Sequence, residues 1–472
     1  MVLVTVLVFA VGAVAMAGGS AESAAEGEGE MDFSGKTLNV ALVSGFTESE
    51  PILSALRAAA AELGSKVEVS WYSNDELHDK ILLDYKGNNT VWDITMVHSP
   101  SRGGWAEAGI IIPIEQYQNE HPELVESGLL EKSDYSESAV ENYTHNGQWI
   151  GPPLFETGVA MFYRTDLFEH PQEKRDFQSE YGYELKPAQT YEQFRDIAEF
   201  FTRSRGETLA GETLQADFYG TAHSNKPTGF LWFDFMNYLM AFGADNIYDP
   251  DTMQPTFNSP EAISAGEYYV GLEPFLPPGH QNMASGQSTS MFAEGNVAMI
   301  IEFYLRSIQM TVNPEQSKIS DRVAATILPS VEGVQGREHA AMKGGNMVAI
   351  YGLSENKPTA YKVLELAFSK RIMKQVFLED YAPYGWIPPS LPVLEDPEVQ
   401  AAAPWASDAL DMISDPSIFY YDVPALPEYF QAMDIAATAL SRAIAGEESV
   451  RDAFNDAQED LEEYFAEAGL SQ

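Results

Sequence analysis

The sequence predicts an α/β protein of two domains, and three observations carry that prediction. Strand-like and helix-like segments alternate from Leu38 onward in the order β-α-β-α-β. The strands read as short continuous apolar runs, the composition of strands covered on both faces. A chain of 472 residues also exceeds what one ordinary hydrophobic core spans, so two domains are expected.

Each element follows from local chemistry. Leu38 to Val43 is a strand and leads into the loop Ser44-Gly45-Phe46-Thr47-Glu48. Ile52, Leu53, Leu56, Ala59, Ala60 and Leu63 fall at helical spacing, and Gly64 closes that helix. Val67 to Trp71 alternates as a second strand, and Asp75 to Tyr85 is helical. Ile94 to Val97 forms a third strand, which runs into His98-Ser99-Pro100-Ser101-Arg102. This order implies a parallel sheet with right-handed crossovers. A buried strand that opens into a polar loop is where open α/β sheets bind ligands, so the His98 loop is the first candidate site.

Further along, Gly151-Pro152-Pro153 lies between two strand-like runs and reads as a stiff crossover between lobes. Thr190 to Gln193 is a capping box for an amphipathic helix, and Phe230 to Phe242 reads as a buried aromatic helix. Ser259-Pro260 starts another helix. Strands are expected at Val297–Ile301, Val323–Leu328 and Met347–Ile350, and Asn356 is expected to cap the helix after it. From Ser449 the chain ends in a helix with Ala453, Phe454, Ala457, Leu461, Tyr464 and Phe465 on one stripe.

Composition narrows the function. The 71 acidic and 27 basic residues leave a net charge of −44, which argues against nucleic acid and anionic membranes as partners. A solvated acidic coat suited to a salty medium accounts for the excess. Cysteine is absent, which excludes disulfides, thiol nucleophiles, zinc-thiolate sites and lipid attachment through cysteine. Residues 1–17 are uncharged and mostly Val, Ala and Leu, and Ala15-Met16-Ala17 resembles an export cleavage site. Residues 18–35 form a Gly/Ser/Ala/Glu-rich spacer. The first basic residue is Lys36, so the true start is expected upstream of Met1. The mature protein is expected to be soluble and exported, either periplasmic or at the cell surface.

No nucleophile elbow, Walker loop, dinucleotide fingerprint or His-Glu-x-x-His motif occurs. Asp245, Asp249 and Asp251 lack the glycine and terminal glutamate of a calcium loop and read as a turn. The histidines show no metal-ligand spacing, and no cofactor is expected. Aromatic residues are the informative class. Trp71, Trp105, Trp149, Trp232, Tyr304, Trp386, Tyr429 and Phe430 stand at strand ends or near loops, although each taken singly fits a core as well. A sugar or polyol site needs such apolar faces beside polar groups.

Five segments, in order, resemble one known family. They are DITMVHSPSRGGWAEAGIIIPI, GQWIGPPLFETGVAMFYRTDLF, FNSPEAISAGEYYVGL, SMFAEGNVAMII and IAGEESVRDAFNDAQEDLEEYF. The chain from about residue 36 resembles the extracellular solute-binding proteins of ABC importers, of the sugar-binding type (family 1) that includes the maltose-binding protein. The resemblance implies a two-lobed periplasmic-binding-protein fold (type II). Each lobe would be a mostly parallel sheet flanked by helices, with a ligand cleft between the lobes. The expected lobes are 36–153 with 326–371, and 154–325 with 372–472.

The resemblance implies ligand contacts at Phe46, Thr47, Glu48, His98 and Ser99, and at Glu156 and Thr157 past the crossover. Glu302, Tyr304, Tyr429 and Phe430 are further implied contacts, with Trp232 and Trp386 as additional aromatic candidates. Asn346 follows Gly344-Gly345, where relatives carry Gly-Gly-Trp. Val97 and Pro100 stand where maltose binders place an aromatic and an acid. Those departures point away from a maltodextrin and toward a mono- or disaccharide or a sugar alcohol. The implied function is capture of that carbohydrate by hinge closure and delivery to ABC permease subunits, by a monomer without enzymatic activity. Two alternatives stay open: a receptor for a cationic or zwitterionic osmolyte or polyamine, and a secreted carbohydrate-active enzyme. Trp105 is expected to pack behind the His98 loop.

Overall fold

The computed structural model describes residues 31–470 except Thr47, Ser99, Pro100, Glu156, Thr157, Thr228, Ser285, Pro383, Tyr384, Asp422, Ala425 and Pro427. The expected export segment lies outside the described residues, as do the calls at Thr47, Ser99, Glu156 and Thr157. The strands that position the site are β1 (Thr37–Val43), β2 (Lys66–Tyr72), β3 (Ile94–His98), β4 (Ile111–Ile112), β5 (Val159–Arg164), β6 (Met299–Phe303), β7 (Val323–Thr326), β8 (Ala341–Met342), β9 (Asn346–Tyr351) and β10 (Tyr420–Tyr421).

The first sheet has the order β2-β1-β3-β9-β4. β1 runs parallel to both β2 and β3, with the Ser49–Glu62 and Asn74–Lys86 helices as crossovers. Ile52, Leu53, Leu56, Ala59 and Ala60 are all buried against the sheet, as their spacing predicts. β9 arrives from late in the chain and pairs antiparallel with β3 and β4. Asp93, at the head of β3, secures the join: its carboxylate accepts from Asn39 N at 2.8 Å, Ser354 Oγ at 2.6 Å and Asn356 Nδ2 at 3.2 Å. Asn356 thus precedes its helix without a side-chain cap, because its amide is committed to Asp93.

The second sheet departs from the mostly parallel pattern expected. β5 is central and pairs antiparallel with both β6 and β7. The cause is that a fully apolar strand has no sequence signature of direction; its neighbours decide that. Around this sheet lies a second core built on three helices, Gly229–Ala241, Tyr429–Ile444 and Val450–Glu467, with Trp232, Phe235, Leu440, Phe454 and Phe465 fully enclosed. The first core surrounds β1, β3 and β9.

Local signals hold where they depend on near neighbours. Thr190 Oγ1 accepts from Gln193 N at 3.2 Å, while Gln193 Oε1 accepts from Gln189 N at 2.8 Å, one residue before the expected partner. Asp249 Oδ1 accepts from Asp251 N at 2.8 Å and Thr252 N at 3.1 Å, which makes the acidic cluster a turn. Trp105 is buried and stacks on His78, with ring centroids 5.2 Å apart. Among the described residues no helix is long and apolar enough to cross a membrane.

The chain leaves the first sheet along Gly151-Pro152-Pro153-Leu154. Pro153 bridges to Met347, and Leu154 N donates to Asn346 O at 2.9 Å, so the crossing is anchored on the start of β9. The helix Lys370–Val376 packs on the Ser49–Glu62 helix, where Arg371 holds Glu62 through two hydrogen bonds of 2.7 and 2.6 Å. Ala340, Ala341 and Met342 pack in the second core, and β8 pairs with β10.

Candidate functional site

A cleft of about 830 Å³ opens between the two cores. Its first wall stands at the carboxyl end of the parallel strands, the position where open α/β sheets place ligands. Gly45, Phe46 and Glu48 follow β1, His98 ends β3, and Asn346 begins β9 directly opposite His98 in the ladder. Phe155 comes from the crossing segment. The opposite wall consists of Phe230 and Phe233 from the aromatic helix, Phe303, Leu305 and Arg306 from the end of β6 and the helix after it, and Met342 and Val423.

The polar groups on the first wall are held in place. Asn346 Nδ2 donates to Glu48 Oε1 at 2.8 Å, and both side chains are buried. Asn346 Oδ1 has no hydrogen-bond partner, an acceptor left open on the cleft wall. Two glycines make this approach possible. Gly344 has φ +46°, and a Cβ on Gly345 would come within 2.3 Å of Tyr143 Oη. His98 and Phe430 stack across the mouth with ring centroids 6.4 Å apart, joining the two walls. The Arg306 guanidinium lies 5.1 Å over the Phe230 ring.

Behind Phe230, Phe233 and Phe303 lies a small inner chamber of about 10 Å³, also lined by Val159, Ser224, Asp234, Asn237 and Glu302. Glu302 Oε1 accepts from Ser288 Oγ at 2.5 Å and from Ser224 Oγ at 3.4 Å, and Oε2 accepts from Phe303 N at 3.2 Å. Tyr269 Oη lies 2.9 Å from Asp234 Oδ2 and 2.7 Å from Asn225 Oδ1. Burial, and then the charge of Glu302, push the Asp234 carboxyl well above the usual carboxylate range. Next to it, burial pulls His223 down to about 3, and His280 is lowered for the same reason. Both imidazoles are therefore neutral at pH 7. His223 Nε2 lies 3.1 Å from Tyr238 Oη, and His280 Nδ1 lies 2.9 Å from Asn225 Nδ2.

A two-walled cleft with the strand ends on one side is the arrangement found in the proteins this chain resembles. The family model described as bacterial extracellular solute-binding protein matches residues 47–374. The chain belongs to that family. A Deinococcus radiodurans relative of this solute-binding protein, named a probable ABC transporter-binding protein, is 24% identical over 277 residues, 58% of this chain and 59% of that one. The match thus spans about three fifths of the length of that curated relative.

Solved structures share the fold. A solute-binding protein of Agrobacterium vitis S4 with bound D-mannitol superposes with a TM-score of 0.70 at 21% identity, covering 92% of this chain and 99% of that one. A ribitol complex from Agrobacterium radiobacter K84 gives 0.69 at 20% identity, covering 92% and 100%. Maltose-bound MalE3 of T. maritima gives 0.66 at 20% identity, covering 90% and 98%.

In this solute-binding protein the cleft brings together Phe46, Glu48, His98 and Asn346 of the expected contacts, and Phe430 borders its mouth. Glu302 lies in the inner chamber. The other aromatic candidates are corrected to core positions. Trp232 is fully buried and donates from Nε1 to Tyr429 Oη at 2.8 Å, and Tyr429 in turn donates to Asn246 Oδ1 at 2.8 Å. Tyr304 is turned inward and donates to Trp405 O at 3.1 Å, because the helix begins at this residue and rotates it off the strand's face. Trp386 packs beside Phe377 and Tyr381 in the first core.

The expected aromatics and the lining ones are often neighbours in sequence: Trp232 beside Phe233, Tyr304 beside Phe303, Tyr429 beside Phe430. A helix turns 100° per residue, so adjacent side chains face different surroundings. The spacing Phe230, Phe233, Asn237 was a signal that could have been read, since i, i+3, i+7 share one face. Asp234 carried none, being one carboxylate among 71 acidic residues.

Proposed function

We propose that this protein is the substrate-binding component of an ABC importer. It captures a small carbohydrate (a mono- or disaccharide or a sugar alcohol) by hinge closure and delivers it to the membrane permease. The observation that carries this reading is the cleft itself. Its aromatic rings offer apolar faces for the C–H patches of a sugar, and Glu48, His98, Asn346 and Arg306 line the same space with polar groups. The sugar and polyol ligands of the solved relatives support the same class.

Binding is noncovalent in this reading, with no catalytic residue and no cofactor, and the protein is exported and works as a monomer. In this reading the chain first crosses between the lobes near residues 153–154, where Leu154 N donates to Asn346 O. Ligand contact with both walls favours the closed form, so capture is a population shift. The ligand-contact roles of Glu156, Thr157 and Ser99 belong to this proposal too.

A thermal-shift panel of neutral and aminated sugars, sugar alcohols, betaine and linear polyamines tests it. A carbohydrate is expected to raise the melting temperature by mass action. Stabilisation by betaine or polyamines alone would sink the carbohydrate reading.

A further inference from the structure

The inner chamber presents a charge problem that the described residues leave unsolved. Asp234 and Glu302 both line it. Among the described residues every hydrogen-bond partner of the two carboxylates is neutral: Ser224, Ser288, the Phe303 amide and Tyr269. Arg306 is the cation of the outer cleft and sits on the far side of Phe230, over its ring. The two imidazoles behind the chamber, His223 and His280, are held neutral by burial. Two like charges lining one small chamber raise each other's energy until a proton or a cation joins them.

The unmet groups of the site are of one kind. Asn346 Oδ1, on a residue only 6% exposed, is an acceptor without a donor, and the Asp234–Glu302 pair adds acceptors behind it. The outer cleft and inner chamber share Phe230, Phe233 and Phe303, so one ligand can reach both. A hydroxyl both donates and accepts, whereas an ammonium only donates, and it carries the charge that two facing carboxylates need. The rings between the chambers suit a cation as well: Phe230 already carries a guanidinium on its outer side.

We propose that the inner chamber receives a protonated amine, so that the ligand is an aminated carbohydrate, either an amino sugar or an amino polyol. This rests on the carbohydrate reading above and narrows it. The ammonium donates to the carboxylates that line the chamber and supplies the positive charge there.

Isothermal titration of the full chain with matched pairs tests this: glucosamine against glucose, galactosamine against galactose, 1-amino-1-deoxyglucitol against glucitol, and N-acetylglucosamine as the neutral amide. At pH 7 the aminated member of at least one pair is expected to bind at least about ten-fold tighter, taking a charge-assisted bond as the guide. The acetylated sugar should lose that advantage. Asp234→Asn and Glu302→Gln, which keep shape and hydrogen bonding, should each erase the preference for the amine. Neutral sugars binding as tightly as their amines, or a preference that survives both substitutions, overturns the proposal and leaves the carbohydrate reading standing. A panel in which no carbohydrate binds overturns that reading, and this proposal with it.

Discussion

The two walls of the cleft are made in different ways. On the first wall the backbone places the polar groups: Glu48 and His98 follow parallel strands, and Asn346 is fixed opposite His98 by the β3–β9 ladder. On the second wall, helix packing places the rings. Phe230 and Phe233 face the cleft because Trp232, Phe235 and Leu239 on the same helix are locked into the core. The first wall therefore contributes directional contacts whose geometry survives side-chain changes elsewhere. The second contributes apolar area and buried charge, and its geometry is only as firm as the core behind it.

The strongest way to break this contrast is through that core. Trp232→Ala removes a fully buried indole and its hydrogen bond to Tyr429, and should cost about 3–5 kcal/mol of stability in urea denaturation. A cost below about 1 kcal/mol would mean the second wall does not depend on this packing.

Next in size is the wall's surface. Phe233→Ala should weaken carbohydrate binding by about 1–3 kcal/mol in calorimetry if the ring is a ligand platform. An unchanged affinity would return Phe233 to a packing role.

The mouth of the cleft should respond less. His98→Ala removes a polar side chain from the cleft wall and should weaken affinity by about 0.5–1.5 kcal/mol, the range for one hydrogen bond. The melting temperature of the empty protein should fall slightly as the stack on Phe430 is lost. A change in melting temperature without a change in affinity would make His98 structural.

The subtlest test separates buried charge from apolar area. The Asp234 carboxyl is raised in the folded protein, so between its unfolded and folded values the native state binds the extra proton and stability falls as pH rises. Asp234→Asn should therefore raise the melting temperature of the empty protein at pH 8 relative to the parent. The gap should close on acidification below the ordinary carboxylate range, where both states of the parent are protonated. A gap that is the same at pH 4 and pH 8 would show that Asp234 imposes no titration cost.

Much of the local structure could be read from the chain because its signals act over a few residues. The Ile52-to-Ala60 stripe, the apolar run at Ile94–Val97 and the hydroxyl caps at Thr190, Ser259 and Ser449 each appear where local periodicity and side-chain chemistry put them. The polar loop at His98 was legible for the same reason, as a buried strand opening into a loop, while Phe46 and Glu48 came from the resemblance; the structure brings all three to the wall of one cleft.

Other features depend on residues far apart in the chain, and no local pattern records them. The strand directions around β5 follow from which apolar runs pack beside it. The choice of Phe233 over Trp232, and of Phe303 over Tyr304, follows from how each helix is rotated against its core. Asp234, on the aromatic helix, and Glu302, on β6, line one chamber only once the chain has folded. Alternating strands and helices, strand-end loops and an acidic coat are properties of neighbouring residues and were present in the linear chain. The ring that faces the cleft and the pair of carboxylates that shares a chamber are products of long-range packing, and they came into being only with the fold.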